Sequence, residues 1–181
     1  MISDEAKKPS PNLVGSSGMY YICYQLAKRG WNVMPTSRNA KGIDILIYSQ
    51  NAREKYGIQV KSLTKKNPVP LGTKEDSSIF LADFLVICRN ASLNPEVFIT
   101  RPENIRKRIH KGEMEGRISY WLDPKMYEEF RDNWKEIGEG FCQSPDSDHV
   151  ILLRTIKGIK DNVDKMATLG NDDTQYCRNR F

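Results

Sequence analysis

The chain has 181 residues, 39% hydrophobic and 28% charged, with 12 Gly and 9 Pro, a composition that excludes disorder, collagen and coiled coil and fits one globular domain. Its 28 Lys and Arg against 23 Asp and Glu give a net charge of +5, concentrated near the start: residues 1–70 hold eleven basic and four acidic residues, the remainder 17 and 19. A basic segment of this kind favours a polyanionic partner.

Residues 1–12 are polar, with two prolines, and read as a loose lead-in. Met19, Ile22, Cys23 and Leu26 then recur at the spacing of one helix face, and Gly30 after Lys28-Arg29 is a natural stop, so a helix is predicted over about 14–29. Trp31–Pro35 is a short strand candidate, and Ser37–Gly42 carries turn residues. Ile43–Tyr48 and Gly57–Ser62 alternate apolar and polar residues across a polar connection and read as an antiparallel hairpin. Leu63–Ser78, with Asn67-Pro-Val-Pro70 and several charges, reads as a long loop. Phe84–Cys88 suits a strand covered on both faces, and Glu96–Thr100 suits another. Pro102 opens a predicted helix to about His110. Asp123-Pro124 opens a second, along which Met126, Phe130, Trp134 and Ile137 follow one helical face up to Gly138.

The order predicts an α/β or α+β domain around a mixed sheet, over 13–140, without internal repeats. The texture changes in the extension 141–181, where Val150–Leu169 reads as a helix interrupted at Gly158 and the last dozen residues are polar. No apolar run approaches the roughly 20 residues of a membrane span, so no membrane partner is expected. Met1-Ile-Ser-Asp-Glu5 lacks a leader pattern, and a cytoplasmic location is expected. Cys23, Cys88, Cys142 and Cys177 lie far apart, with no zinc or disulfide spacing, and the first two read as reduced core residues.

The informative constellation is Asp44 with Gln59 and Lys61. Residues two apart in a strand share a face, so Gln59 and Lys61 point together. A hairpin pairing Tyr48 with Gly57 sets Asp44 opposite Lys61, bringing a carboxylate, an amide and an ammonium together between apolar neighbours. Two readings stand: a cross-strand ion pair worth about 0.2–1 kcal/mol, or a site. Carboxylate and amide oxygens are hard ligands of the kind Mg²⁺ takes, and a lysine beside them orients or deprotonates a water or neutralises a phosphate.

Gly42-Ile-Asp44 followed by Ile58-Gln-Val-Lys61 resembles the PD-(D/E)xK nuclease superfamily, the restriction endonuclease-like fold, in the variant where Gln replaces the middle acid. Mrr-type restriction enzymes and Holliday-junction resolvases belong to it. The resemblance covers about residues 14–100 and extends to a set of uncharacterised bacterial proteins through Gly18-Met-Tyr-Tyr, Arg38-Asn-Ala-Lys-Gly-Ile-Asp44 and Gln59-Val-Lys-Ser62. It implies a central mixed β-sheet flanked by helices and a Mg²⁺- or Mn²⁺-dependent endonuclease acting on DNA. Asp44, Gln59 and the Val60 carbonyl would be metal ligands and Lys61 the catalytic lysine. Cleavage of two strands by this fold implies a homodimer. Active members carry a glutamate near the start of the first helix; Met19 stands there here, beside Ser17 and Tyr20, and no acid lies between Glu5 and Asp44. The alternative is therefore a catalytically inactive module of the same fold that binds DNA or a protein partner.

Arg38 and Lys41 read equally as a solvated turn or as phosphate contacts. Lys65 and Lys66 read as a solvated loop past which a DNA backbone would run. Arg106, Lys107, Arg108 and Lys111, bracketed by Glu103, Glu113 and Glu115, read as surface charge. His110 and His149 read as surface residues, Asp83 as an acid without an assigned role, and Trp121, Trp134 and Phe130 as core. No nucleophile elbow, phosphate-binding loop or dinucleotide fingerprint occurs.

Overall fold

The computed structural model describes residues 9–37, 41–73 and 78–141; the predicted helix within 150–169, Cys142, Cys177, His149 and Arg38 lie outside them. All the described residues belong to the first of the two units into which the chain divides, 1–141.

Ser10 caps a helix, α1, over Pro11–Lys28: its hydroxyl accepts the Leu13 N–H, and Pro11 occupies the first turn, where no N–H is needed. The helix starts three residues earlier than its apolar spacing indicates because cap and proline, not periodicity, set the boundary. Its buried row is Val14, Gly18, Ile22 and Leu26, each one turn apart, with Met19 and Cys23 half-buried at its flank. Gly18 is a contact requirement. A Cβ there would lie 2.8 Å from the Ser62 Cβ and 3.3 Å from that of Cys88, so only glycine lets the helix lie this close to the strands beneath.

The strands are β1 (Asn32–Pro35), β2 (Ile45–Tyr48), β3 (Lys55–Leu63), β4 (Val69–Gly72), β5 (Phe84–Arg89), β6 (Glu96–Thr100), β7 (His110–Met114) and β8 (Arg117–Leu122), with a one-turn helix, α2, at Pro102–Ile105. Five form a mixed sheet in the order β1-β2-β3-β5-β6, in which β3 and β5 run parallel and the other neighbours antiparallel. This is the α/β architecture around a central mixed sheet that the sequence predicts. All six residues of β5 are buried, as its unbroken apolar run requires. On one face, Ile45, Ile58, Phe84 and Val86 pack against Ile22 and Leu26 of α1. On the other, Leu85, Ile87 and Phe98 pack against Ile105 of α2, Tyr127 and a second sheet of order β4-β8-β7.

Three expectations are corrected. The loop predicted over 63–78 contains the end of β3 and all of β4, whose Val69 and Leu71 are core residues although prolines surround them. The helix predicted to His110 stops at Ile105 and continues as a 3₁₀ turn to Arg108, because His110 begins a hairpin that turns on Glu115 and Gly116 at φ 51° and 73°. The helix predicted from Asp123 is three 3₁₀ turns, Pro124–Met126, Glu128–Phe130 and Trp134–Glu136. Its apolar residues do not share a surface: Met126 and Phe130 pack on one side of the central sheet, Trp134 and Ile137 on the other. The chain is drawn across the open edge of β6, where the Asp132 N–H reaches the Val97 carbonyl at 2.8 Å with Asp132 at φ 49°. Tertiary contacts override helical periodicity here.

Arg89, at the end of β5, has a side chain only 5% exposed. It donates to Glu96 at 2.7 Å and to Glu128 at 2.6 Å; Arg131 and Lys66 pair with the same two glutamates at 2.6 and 2.9 Å, and both guanidiniums lie over the Phe98 ring. Hydrogen bonds from Arg89 first hold both carboxyls at about 2, well below the usual range, with Arg131 adding to the effect at Glu96 and Lys66 at Glu128.

Two predictions follow from this packing. Gly18→Ala should cost about 1–3 kcal/mol in urea unfolding, whereas Gly15→Ala, with nothing within 4 Å of its new Cβ, should be neutral or stabilising. A carboxyl depressed in the folded state stabilises fully above its ordinary pKa and loses that contribution as pH falls. The melting temperature should therefore fall between about pH 5 and pH 2. Arg89→Met should cost about 2–4 kcal/mol at pH 7 and flatten that acid limb.

Candidate functional site

Asp44 is placed by backbone. Gly42, at φ +78°, supplies a left-handed turn open to glycine, and Ile43 and Asp44 follow it into the sheet. The Asp44 N–H reaches the Ile58 carbonyl at 2.8 Å, and its carbonyl accepts the Thr36 N–H at 2.9 Å. The Thr36 hydroxyl donates to the Ile43 carbonyl at 2.6 Å, so the end of β1 clamps both peptides that flank the aspartate.

The expected hairpin register is corrected by two residues. Tyr48 faces Lys55 and Ile45 faces Ile58, which sets Asp44 beside Gln59 rather than Lys61. The cause is the turn: the Ser49 N–H bonds the Glu54 carbonyl at 3.0 Å and Ala52 takes φ 56°, closing the connection sooner than an eight-residue loop would. A slip of two preserves the face. Gln59 and Lys61 therefore still share a face of β3 and Gln59 still meets Asp44, but the simple Asp44–Lys61 cross-strand pair is gone.

Pairing of β2 with β3 ends at Ile58, while β3 continues alongside β5 to Leu63. The strands fork there, and Asp44 fills the fork. Its Oδ2 accepts the Val60 N–H at 2.8 Å and a close hydrogen bond from Gln59 Nε2. In a strand the N–H and C=O of one residue point to the same side, so the Val60 carbonyl faces the fork as well. Gln59 is buried and Lys61 half-buried, in register with Leu85 and Ile87 of β5. Burial lowers the Lys61 ammonium pKa from its ordinary value, and the Asp44 charge offsets only part of that. A cleft of about 440 Å³ opens at the fork, lined by Asp44, Val60, Ser62, Thr36, Ser16 and Met19; of the expected trio only Asp44 lines it, since Gln59 and Lys61 project from the other face of β3.

Of the other residues singled out in the sequence, Met19 does stand at the cleft, where the resemblance would place an acid, and α1 has no acidic residue in its first turn. Asp83 is committed elsewhere: its Oδ2 accepts the Gly57 N–H at 2.7 Å. Lys41 and Lys65 are exposed, before Asp44 and beyond β3, whereas Lys66 is paired with Glu128. Cys88 is a buried free thiol, pushed up to about 11 by desolvation, and Cys23 is a half-buried one. Thr36 and Ser62 are the site residues that spacing does not mark. Ser62 had one signal, a hydroxyl on the face of β3 that otherwise carries Ile58 and Val60.

The donor set at the fork is one carboxylate, one amide oxygen and one backbone carbonyl. These are hard oxygen ligands, and among the described residues no group of three His, Cys, Asp or Glu could hold an ion. Such a set fits Mg²⁺ in the manner of sites with one or two carboxylates that water and substrate phosphate complete.

No protein-family model and no curated protein matches the chain. Among solved structures it is similar to Hjc, a Holliday junction resolvase from the archaeal hyperthermophile Archaeoglobus fulgidus, with 17% identity, a TM-score of 0.40, and coverage of 60% of this chain and 89% of that one. The helix, the β1-β2-β3 meander and the parallel β5 beside β3 form a mixed α/β core. No helix among the described residues is long and apolar enough to cross a membrane.

A lysine whose pKa is depressed binds its proton less tightly when folded, so charged Lys61 opposes folding at neutral pH. That penalty fades as pH rises through the folded value toward the unfolded one near 10.4. Lys61→Met is accordingly expected to raise the urea midpoint at pH 7, with the gain shrinking at pH 10.

Proposed function

We propose that the protein is a DNA-directed, Mg²⁺- or Mn²⁺-dependent endonuclease of the PD-(D/E)xK type. The observation that carries this reading is the fork itself: beyond Ile58 the Asp44 carboxylate takes hydrogen bonds from the Gln59 amide and the Val60 N–H, and half-buried Lys61 lies two residues from Gln59 on the same face of β3. The side chains of Asp44 and Gln59 and the Val60 carbonyl would hold the ion, and a DNA phosphate would complete its shell. Once bound, the ion supplies Lewis-acid polarisation of a phosphodiester oxygen and a more acidic water.

The chain's own groups do the rest. Gln59 donates to Asp44 through Nε2, which leaves its Oε1 as the ligating atom. The Val60 N–H fixes the Asp44 carboxylate against the strand edge. Lys61, with its pKa lowered by burial, releases a proton at Nζ more readily than a surface lysine, so it can accept one from the attacking water or, charged, neutralise the phosphate. Lys41 and Lys65, with Arg38 and Lys66, would take backbone phosphates, and two-strand cleavage would use a homodimer. The excess of basic over acidic residues in 1–70 supports a nucleic-acid partner.

A second reading has its own observation: among the described residues that line the cleft Asp44 is the one carboxylate, and Met19 stands there where an acid would strengthen it. That favours the same fold acting as a binding module without hydrolysis.

A supercoiled-plasmid assay with Mg²⁺ and Mn²⁺ separates the two. The nuclease reading expects metal-dependent nicking that Lys61→Ala reduces by roughly 10²–10⁴-fold, and calorimetric binding of Mn²⁺ with a short duplex that Asp44→Ala abolishes. Duplex binding without nicking, and without any metal signal that depends on Asp44, leaves the binding module.

A further inference from the structure

We propose that the solvent face of the β4-β8-β7 sheet is a stacking site for an unpaired base of nucleic acid, with the Trp121 indole as its platform. The inference rests on the DNA-directed reading above and adds to it a single-stranded element of the substrate. Cross-strand register places Pro70, Trp121 and His110 in one row, with Ser119 and Gly112 in the next and Arg117 and Met114 beyond. Ile118, Tyr120 and Leu122, on alternate positions of β8, turn the other way into the core. The row that contains Trp121 is thus the outward one.

The platform is built rather than incidental. A Cβ on Gly112 would lie 2.7 Å from Cη2 and Cζ3 of Trp121, so the indole lies over bare backbone that no other residue would leave open. The His110 ring stacks beside it at 17° and 5.9 Å between centroids, and its Nε2 is 3.1 Å from Asp123 Oδ2, which fixes the ring's orientation. The other two indoles are engaged elsewhere: Trp31 is 3% exposed in the core, and the Arg29 guanidinium covers Trp134 at 3.8 Å.

The occupant follows from shape and charge. The half-exposed Trp121 indole, stacked on the His110 ring, offers a π-surface that a base can meet without sequence preference. Arg117, exposed on the same face with no acid in the rows from Pro70 to Met114, is placed to meet a flanking phosphate. A base carries that phosphate with it, which a proline-rich peptide does not.

The test uses the full chain titrated with a short oligothymidylate and, separately, with a duplex, read by tryptophan fluorescence and anisotropy. Oligothymidylate should quench the emission of the wild type, and Trp121→Leu should weaken its binding by roughly 5- to 150-fold with duplex affinity unchanged. Trp121→Tyr, which keeps a ring over Gly112, should bind oligothymidylate nearly as the wild type does while losing most of the quenching; it decides the matter if the leucine variant does not fold. Unchanged oligothymidylate binding by Trp121→Leu, or quenching by a proline-rich peptide and not by oligothymidylate, overturns the proposal. Where the duplex still binds, that failure concerns the platform alone; binding of neither nucleic acid sinks the DNA-directed reading with it.

Discussion

The candidate site exists because β3 is longer than its antiparallel partner. β2 stops pairing at Ile58, yet β3 must run on to Leu63 to complete its parallel register with β5, and this leaves backbone groups on the β2 side without a strand. Unpaired backbone polar groups away from water are costly. Asp44 meets that cost at Val60 with its carboxylate, held in place by the Thr36 clamp and the Gly42 turn. The structural requirement and the proposed chemical one thus coincide in a single side chain: the group that ends the sheet neatly also puts a negative charge where a cation and a phosphate can meet.

The cleft beside it is otherwise neutral. Ser16, Thr36, Ser37, Ser62 and Asn12 surround Asp44 with hydroxyl and amide groups, and Met19 adds a thioether. With one carboxylate in such surroundings, the cleft attracts a divalent ion less than a two-acid site would, but it repels a phosphate less as well. The scarcity of acids that makes residues 1–70 basic would therefore also leave the proposed metal shell dependent on the proposed nucleic acid for completion.

What could be read in the sequence was whatever depends on local pattern. Alternation along β2 and β3, the unbroken run of β5 and the Gly42-Ile-Asp44 motif each carry their signal within a few residues, so the central sheet and the shared face of Gln59 and Lys61 were legible. Register was not, because it hangs on how Ser49 and Glu54 close the turn. The stretch from Asp123 misled for another reason: Met126, Phe130, Trp134 and Ile137 are all apolar because all are core, but they serve opposite sides of one sheet. The β7–β8 hairpin was hidden by its own composition. His-Lys-Gly-Glu-Met has none of the β-branched residues that mark strands, and its glycine, which looks like a strand breaker, is what receives the Trp121 ring.

Arg89 and Lys61 lie on the same face of the central sheet, on adjacent strands, and the contrast between them separates architecture from function. Arg89 is enclosed by Glu96 and Glu128, which Arg131 and Lys66 share, so every charge in that group is answered by another protein charge. Lys61 is half-buried beside Ile87 of β5, and Asp44 reaches it only as a nearby charge, with its Oδ2 already bonded to Gln59 and Val60. A buried ion whose partners are all internal fixes a fold; one left short of partners is destabilising unless something outside the chain completes it. Among the described residues Lys61 is the ion left short of partners, and the anionic ligand proposed for the fork would complete it.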